Sequence, residues 1–463
     1  MHLTDADAIV RILKEAGVDA ERALVVLVQA IIAQHGEWDA RNGADTVIGD
    51  DGVQQRSVVG RLAMLSMHSS PLVQPGTGDS GGMNVYVREL SSALAQAGVD
   101  TTTYVRRWHA DLPTEVFVEP GFRVVHVDAG PFDLAKERLP EVVDRFADGV
   151  IEHLESHGGA DVVHANYWLS GVAGHRIKHE LDLPLVCTFH TLARVKAEGG
   201  DPEPARRVRA ETEIIGCADA ICVSCTEEER QFVRHYGPPP GRLEIVAPGV
   251  EHAFFAPGDR AGARRALGLG LGAEPVLLFV GRIQPLKGAP LAVRTLSALH
   301  RPDAKLVIVG GASGVDGATE EEKLRGLVDE LGLTDRVFFV APQPHHLLAS
   351  YYRAADLVLV PSRSESFGLV ALEASACGTP VVASAVGGLV TLVDHGHTGF
   401  LVPGRDAEVF ASYADEILSN ERLAREMALT AAARARHYTW SLAAGRLRRI
   451  HADLAVGALV QCG

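Results

Sequence analysis

Two cations and two carboxylates in the second half of the chain have the spacing of a site for an elongated phosphorylated ligand. Arg282 and Lys287, in "FVGRIQPLKG", follow an apolar run and stand five residues apart across a proline-containing turn. Both can converge on one diphosphate, although alone such a pair reads equally well as two solvated charges. Glu365 and Glu373 are eight residues apart in "SRSESFGLVALEAS". Read as one helix opening at Glu365, they are separated by about 12 Å of rise on one face. Ser366, Phe367 and Gly368 then offer backbone N–H groups to an anion between them. Acid, anion site, acid is the order that a nucleotide sugar needs, with its diphosphate between two hydroxyl-rich rings.

A second anion site is written into "SMHSSPLVQPGTGDSGGMNVYVREL", Ser66 to Leu90. It reads as a strand end, a long loop with four glycines and the start of an amphipathic helix. Gly76-x-Gly78-x-x-Gly81 matches the dinucleotide fingerprint, a weak signal when it stands alone. The loop is longer than the tight turn of such folds, and the next strand ends in Arg106 and Arg107 where a ribose would need an acid. NAD is therefore disfavoured. The N–H groups of Gly81, Gly82, Met83 and Asn84 gather at a helix start, which predicts a phosphate or diphosphate there.

The totals bound the protein that carries these sites. A chain of 463 residues predicts two or three domains. Hydrophobic residues make up 47%, charged residues 22% and aromatics 6%, the style of an α/β protein. A formal charge of −15 argues against a nucleic-acid partner. No apolar run of about 18 residues offers a membrane span, and "MHLTDADAIV" has neither the basic start nor the apolar core of a signal peptide. The cytoplasm is the expected location. Six cysteines do not suggest a disulfide framework in a chain of this size. Cys222 and Cys225 form a C-x-x-C, but residues three apart on a strand face opposite ways, so they read as core cysteines. We find no second C-x-x-C and no His pair at zinc spacing to complete a metal site.

The elements that must position these groups alternate. Residues 1–56 read as a helical N-terminal extension and polar linker, with no chemistry assigned. From Arg61, apolar runs such as "RLAMLSM", "TTTYVRR", "FRVVHVDAG", "DVVHANYW", "PLVCTFHT" and "DAICVSC" are interspersed with helical stretches, giving a first domain over 57–252. "EPVLLFVGRI", "AKLVIVGG", "RVFFVAP", "DLVLVP" and "TPVVASAVGG" open a second series over 253–438. Runs of Val, Ile and Leu without polar alternation predict parallel sheets covered on both faces. The fold class is thus α/β, two doubly wound Rossmann-like domains facing across a cleft, with the extra helical segment in front. A last helix, about Leu442 to Val456 within 439–463, is expected to pack back on the first domain.

The second domain resembles the donor half of the family 4 retaining glycosyltransferases, which have the GT-B architecture. The resemblance rests on the Arg–Lys pair and on the glutamates around "SFG". The first domain looks more narrowly like the D-inositol-3-phosphate N-acetylglucosaminyltransferases of mycothiol biosynthesis. "SMHSSPLVQPGTGDSGGMNVYV", "AGPFDLAKERLP", "HANYWLSG", "TFHTLARVK" and "PSRSESFGLVALEASACGTPVV" carry that likeness, which covers about Arg61 to Thr439.

The resemblance implies an acceptor-binding N-terminal domain, a nucleotide-sugar C-terminal domain, and transfer of GlcNAc from UDP-GlcNAc to 1D-myo-inositol 3-phosphate. It implies His68, Asp79, Ser80, Gly81, Gly82, Met83 and Asn84 at the acceptor, with Lys136, Tyr167, Thr191 and Arg206 holding its phosphate. Gln74, Pro75 and Gly82 would lie near the donor, His190 beside its sugar, and Gln343 at the uracil. Arg282 and Lys287 would stabilise the leaving diphosphate, Glu365 bind the sugar hydroxyls and Glu373 the ribose. Ser366, Phe367 and Gly368 complete the donor set, and Arg282, Lys287, His190 and Glu365 are the catalytic candidates.

A magnesium ion at Tyr352, Arg353, Ala355 and Thr379 is also implied, although the mechanism does not require one. The implied partners are small-molecule substrates, with no nucleic acid and no membrane; a homodimer is left open. The chain departs from the family at Ala165, Asn166 and Arg194, and lacks an Asn after Lys196. All of these changes fall on the acceptor side. A different sugar-phosphate acceptor, as in sucrose-phosphate synthases, and a catalytically silent nucleotide-sugar binder are the alternatives.

Overall fold

The computed structural model describes residues 60–76, 80–201, 203–313 and 317–462. The expected helical extension over 1–56, and Asp79, lie outside the described residues.

Among the described residues the alternation produces two sheets. The N-terminal lobe holds β1 (Arg61–Leu65), β2 (Asp100–Arg106), β3 (Glu115–Glu119), β4 (Phe122–Val127), β5 (Val162–Asn166), β6 (Leu185–Thr188), β7 (Ala220–Val223) and β8 (Arg242–Ile245), in the order β3-β4-β2-β1-β5-β6-β7-β8. The C-terminal lobe holds β9 (Val276–Val280), β10 (Lys305–Val309), β11 (Val337–Val340), β12 (Leu357–Val360), β13 (Val381–Ser384) and β14 (Gly399–Val402), in the order β11-β10-β9-β12-β13-β14. All pairings are parallel except β3 with β4, a hairpin at the sheet edge closed through Pro120 and Gly121. Reading apolar runs missed β3 because its pattern is partly exposed, and missed β14 because only four residues carry it.

Burial on both faces explains the unbroken Val/Ile/Leu runs. In the N-terminal lobe Ala63 and Leu65 pack against Phe146, Val150 and Ile177 on one side. Leu62 and Met64 pack on the other against Leu90 and Leu94 of the helix Gly82–Gln96 and Leu447 and Ile450 of the helix Trp440–Val456. Each such leucine, isoleucine, valine, methionine or phenylalanine contributes about 1.5–3 kcal/mol relative to exposure. The helix Trp440–Val456 packs on the first lobe. Its return strand of chain, Tyr438 to Trp440, runs beside the outgoing one, where Val250 N–H donates to the Tyr438 carbonyl at 3.2 Å. Gly249 permits this approach, since a Cβ there would meet the Trp440 nitrogen at 2.2 Å.

Cys222, on β7, and Cys225, just beyond it, fall in different cores, the first in the N-terminal lobe and the second packed with C-terminal-lobe residues, and both are buried free thiols. The cysteine count did not foresee the other pair: Cys217 and Cys462, 245 residues apart, stand sulfur to sulfur with Cα atoms 4.9 Å apart. No helix among the described residues is long and apolar enough to cross a membrane.

Candidate active site

The strand C-terminal ends of the two lobes open onto two adjoining cavities, of about 330 and 460 Å³. Gly81, Gly82, Met83, His190, Thr191 and Arg282 line both, so these residues form the wall between them. The glycine loop matters because of what crosses to meet it. A Cβ on Gly81 would lie 3.3 Å from Arg282 Nε, so the bare backbone lets the guanidinium of the other lobe lie against the start of helix Gly82–Gln96. Gly82 faces Leu369 at the start of the helix Leu369–Ala376, so two helix N-termini converge at the cleft. Both point their partial positive charge at whatever anion enters.

The smaller cavity holds the expected donor groups. Lys287 Nζ donates to Glu365 Oε2 at 2.7 Å, and Ser362 Oγ reaches the same oxygen at 3.3 Å. Arg282 Nη1 stands 3.5 Å from Ser313 Oγ. Glu373 is buried and held on both oxygens, by His345 Nε2 and the Tyr352 hydroxyl, each at 2.7 Å. Burial lowers the His345 pKa, but the Glu373 carboxylate more than offsets this, leaving it above its ordinary value. One expectation needs correction. Glu365 does not open a helix; it sits in the loop after β12, and the helix begins four residues later at Leu369. Gly368, at φ 103°, is its N-cap and takes a left-handed turn that only glycine adopts freely. Glu365 and Glu373 still line one cavity, with Ser366, Phe367 and Gly368 between them.

Pro75 and Gln343 also line this cavity. Gln74 spans the lobes, donating from Nε2 to the Pro342 carbonyl at 2.9 Å, and Gln343 Nε2 donates to the Ala341 carbonyl at 2.9 Å. Glu228 lines the cavity too and was not expected to. It accepts the Ser224 N–H at 2.6 Å, and burial pushes its carboxyl up to about 7 against that hydrogen bond. As one of three glutamates in the run "TEEE", it carried no signal of its own.

The larger cavity is the more polar. His68, Met83, Asn84, Lys136, Tyr167, Thr191 and Arg207 line it. Burial lowers the His68 pKa to about 3, aided by the cations Lys136, Arg207 and Arg282 around it, and its ring packs on Tyr167 at 4.4 Å. Asn84 works mainly as a staple. It accepts from Ser69 Oγ at 2.7 Å and Gly81 N at 2.9 Å, and donates to the Ser70 carbonyl at 2.6 Å, fixing the loop to the helix. Ser80 is buried, and its carbonyl accepts the Gly76 N–H at 2.9 Å.

On the helix Ala205–Cys217 the structure puts Arg207, not Arg206, at this cavity. Arg207 donates to the Tyr167 hydroxyl at 3.2 Å and to Thr191 Oγ1 at 3.0 Å, and is anchored by Glu211 at 2.7 Å and Glu203 at 2.8 Å. Arg206 is exposed and donates to the Glu137 carbonyl at 2.5 Å. Neighbours on a helix point about 100° apart, so only one can face the cavity.

Backbone strain gathers where the cavities meet. Tyr167 (φ 73°) and His190 (φ 60°), just beyond β5 and β6, both take left-handed conformations, which cost about 1–3 kcal/mol each in a non-glycine residue. His190 Nε2 donates to Asn166 Oδ1 at 2.9 Å, and its carbonyl accepts the Ser366 hydroxyl from the other lobe. Burial lowers its pKa to about 3, so the ring is neutral. The departure to Asn166 thus supplies the group that orients His190.

The residues implied for magnesium stand together at the C-terminal end of the helix Leu348–Ala354, outside both cavities. The Tyr352 carbonyl accepts the Thr379 hydroxyl at 2.7 Å. These are hard oxygen donors at the negative end of a helix, which fits such an ion.

Comparison with known proteins agrees with the geometry. Residues 81–249 match the family "Glycosyl transferase 4-like domain" and residues 269–435 match "Glycosyl transferases group 1". The chain is 46% identical over 393 residues to a D-inositol 3-phosphate glycosyltransferase of Acidothermus cellulolyticus, covering 82% of this chain and 87% of that one. It is 43% identical over 425 residues to one from Thermobispora bispora, covering 87% and 99%. Among solved structures, sucrose-phosphate synthase from Thermosynechococcus elongatus superposes with a TM-score of 0.80 at 33% identity, covering 85% of this chain and 98% of that one.

Proposed function

The chain belongs to the D-inositol 3-phosphate glycosyltransferases, two-lobed enzymes of the GT-B type, and from that premise we propose that it transfers GlcNAc from UDP-GlcNAc to 1D-myo-inositol 3-phosphate with retention at the anomeric carbon. The observation that carries this reading is the shared wall. A cavity edged by Lys287, Glu365 and Glu373 adjoins one edged by Lys136, Tyr167, Thr191 and Arg207, with Arg282 between them.

Each group then has a task. Glu365 orients the sugar hydroxyls, and Glu373, steadied by His345 and Tyr352, takes the ribose. Arg282 and Lys287 neutralise the diphosphate as it departs, where electrostatic stabilisation counts most. Lys136 and Arg207 bind the acceptor phosphate through charge-assisted hydrogen bonds, and Tyr167 and Thr191 complete its shell. His190, neutral and fixed by Asn166, packs beside the donor sugar. The acceptor hydroxyl attacks on the face the diphosphate leaves, and its proton passes to the leaving diphosphate oxygen. The two lobes hold the partners in line and exclude water. Tyr352, Arg353, Ala355 and Thr379 would hold a magnesium ion through their oxygen atoms, and such an ion would brace the helix that carries Tyr352. The enzyme works in the cytoplasm on this reading.

A second acceptor class has one specific support: the likeness to a sucrose-phosphate synthase, whose phosphate cradle would take a hexose phosphate. The anomeric configuration of the product of UDP-GlcNAc and the inositol phosphate, read by NMR, tests the mechanism. An α-linked product agrees with it, and a β-linked product overturns it.

A further inference from the structure

On the side of the N-terminal lobe, away from both cavities, four side chains converge that the glycosyl transfer does not use. His175 and His179 lie four residues apart on the helix Tyr167–Leu181, so they share a face. Cys217 ends the helix Ala205–Cys217, and Cys462 comes from the tail beyond the last helix. Their four ligand atoms all lie within 4.8 Å of one another. His179 Nε2 is 3.1 Å from Cys462 Sγ and 3.3 Å from Cys217 Sγ. His175 Nε2 is 3.2 Å from His179 Nε2 and 3.7 Å from Cys462 Sγ.

We propose that Cys217, Cys462, His175 and His179 form a structural zinc site that fastens the C-terminal tail to the N-terminal lobe. With Zn–N about 2.0–2.1 Å and Zn–S about 2.3 Å, tetrahedral ligand atoms stand about 3.3–3.8 Å apart. The four separations above, each involving a histidine, fall near that range, whereas the two sulfurs stand in direct contact and would move apart to share one ion. Two sulfurs and two imidazole nitrogens in a tetrahedral set select zinc among common divalent ions. All four positions are filled by protein, which marks a structural and not a catalytic site. Both thiols bind as thiolates, so two protons leave to solvent as the ion enters and the site becomes neutral.

A disulfide between the cysteines is the competing reading, since their sulfurs are in contact and their Cα separation of 4.9 Å permits one. It would leave two imidazoles aimed at the sulfurs with no task. A zinc ion accounts for all four groups.

The tail is led to this point by a second contact. Lys178 and Asp219 form a buried ion pair at 2.7 Å, and Lys178 Nζ also donates to the Cys217 carbonyl at 2.8 Å. The Val460 N–H donates to Asp219 Oδ1 at 2.6 Å, two residues before Cys462. Contrary to the expectation of no His pair at zinc spacing, "HRIKH" is one, and its cysteine partners lie far away in the chain.

The test is metal analysis of the full chain purified under reductant without added metal. About one zinc per chain is expected. Cobalt(II) exchanged into the site should show the visible absorption of a tetrahedral thiolate complex. Cys462→Ser, which alters only the tail, and His175→Ala/His179→Ala should each lose the metal by at least tenfold while UDP release persists. Metal below a tenth of an equivalent, with a Cys217–Cys462 disulfide recovered after alkylation and peptide mapping, would overturn the proposal. Zinc that stays at one equivalent in both variants would overturn it too.

Discussion

Lys287 Nζ and Glu365 Oε2 meet at 2.7 Å, from loops that follow two adjacent strands of the C-terminal sheet, β9 and β12. The cation proposed for the diphosphate and the acid proposed for the sugar thus hold each other in place. Lys287→Ala should lower kcat about 10²–10³-fold, as should Arg282→Ala, with the melting temperature nearly unchanged because both side chains reach into a cavity. Steady-state rates and calorimetry of the two variants check this. Near-normal turnover in either would count against the assignment.

Gly81 offers a subtler probe of the same contact. A methyl there stands 3.3 Å from Arg282 Nε and must displace the guanidinium by a few tenths of an ångström. Its backbone needs no left-handed turn, so Gly81→Ala should fold normally and lose roughly tenfold in kcat. Unchanged turnover would mean that Arg282 has no fixed place in the reaction.

On the acceptor side the two neighbouring arginines separate cleanly. Lys136→Ala and Arg207→Lys should raise KM for the inositol phosphate about tenfold or more, since each weakens a charge-assisted contact. Arg206→Ala should leave KM within about twofold. A large effect at Arg206 with none at Arg207 would reverse the assignment.

Glu228 predicts a pH dependence of stability. Burial raises its folded pKa from the ordinary 4.5 to about 7. The folded state therefore keeps a proton that the unfolded chain releases, and stability falls as pH rises through that window, by up to ~3 kcal/mol. Glu228→Gln removes this loss. Its melting temperature should match that of the parent near pH 4 and exceed it at pH 8. A difference independent of pH would contradict the assignment.

The strands were readable because burial on both faces leaves unbroken apolar runs, as in "VLLFV" and "LVIV". Glycines marked the loop before the helix Gly82–Gln96 for a similar reason, since its backbone comes close to Arg282. What could not be read depended on packing. Gly368 moves the helix start four residues past Glu365, and nothing local separates an N-cap glycine from one inside a helical first turn. Arg206 and Arg207 have the same side chain, and only the helix phase against Tyr167 distinguishes them. Asn166 gained its place from neighbours that are remote in sequence, as did Cys217 and Cys462, and Glu228 lines a cavity that only the other lobe completes.

The most direct test is UDP release from UDP-GlcNAc by the full chain, with 1D-myo-inositol 3-phosphate, a panel of hexose phosphates, or no acceptor. The account predicts release that depends on the inositol phosphate and is at least a hundredfold slower with the others. Release driven by a hexose phosphate alone, or UDP binding without release under any condition, would contradict it.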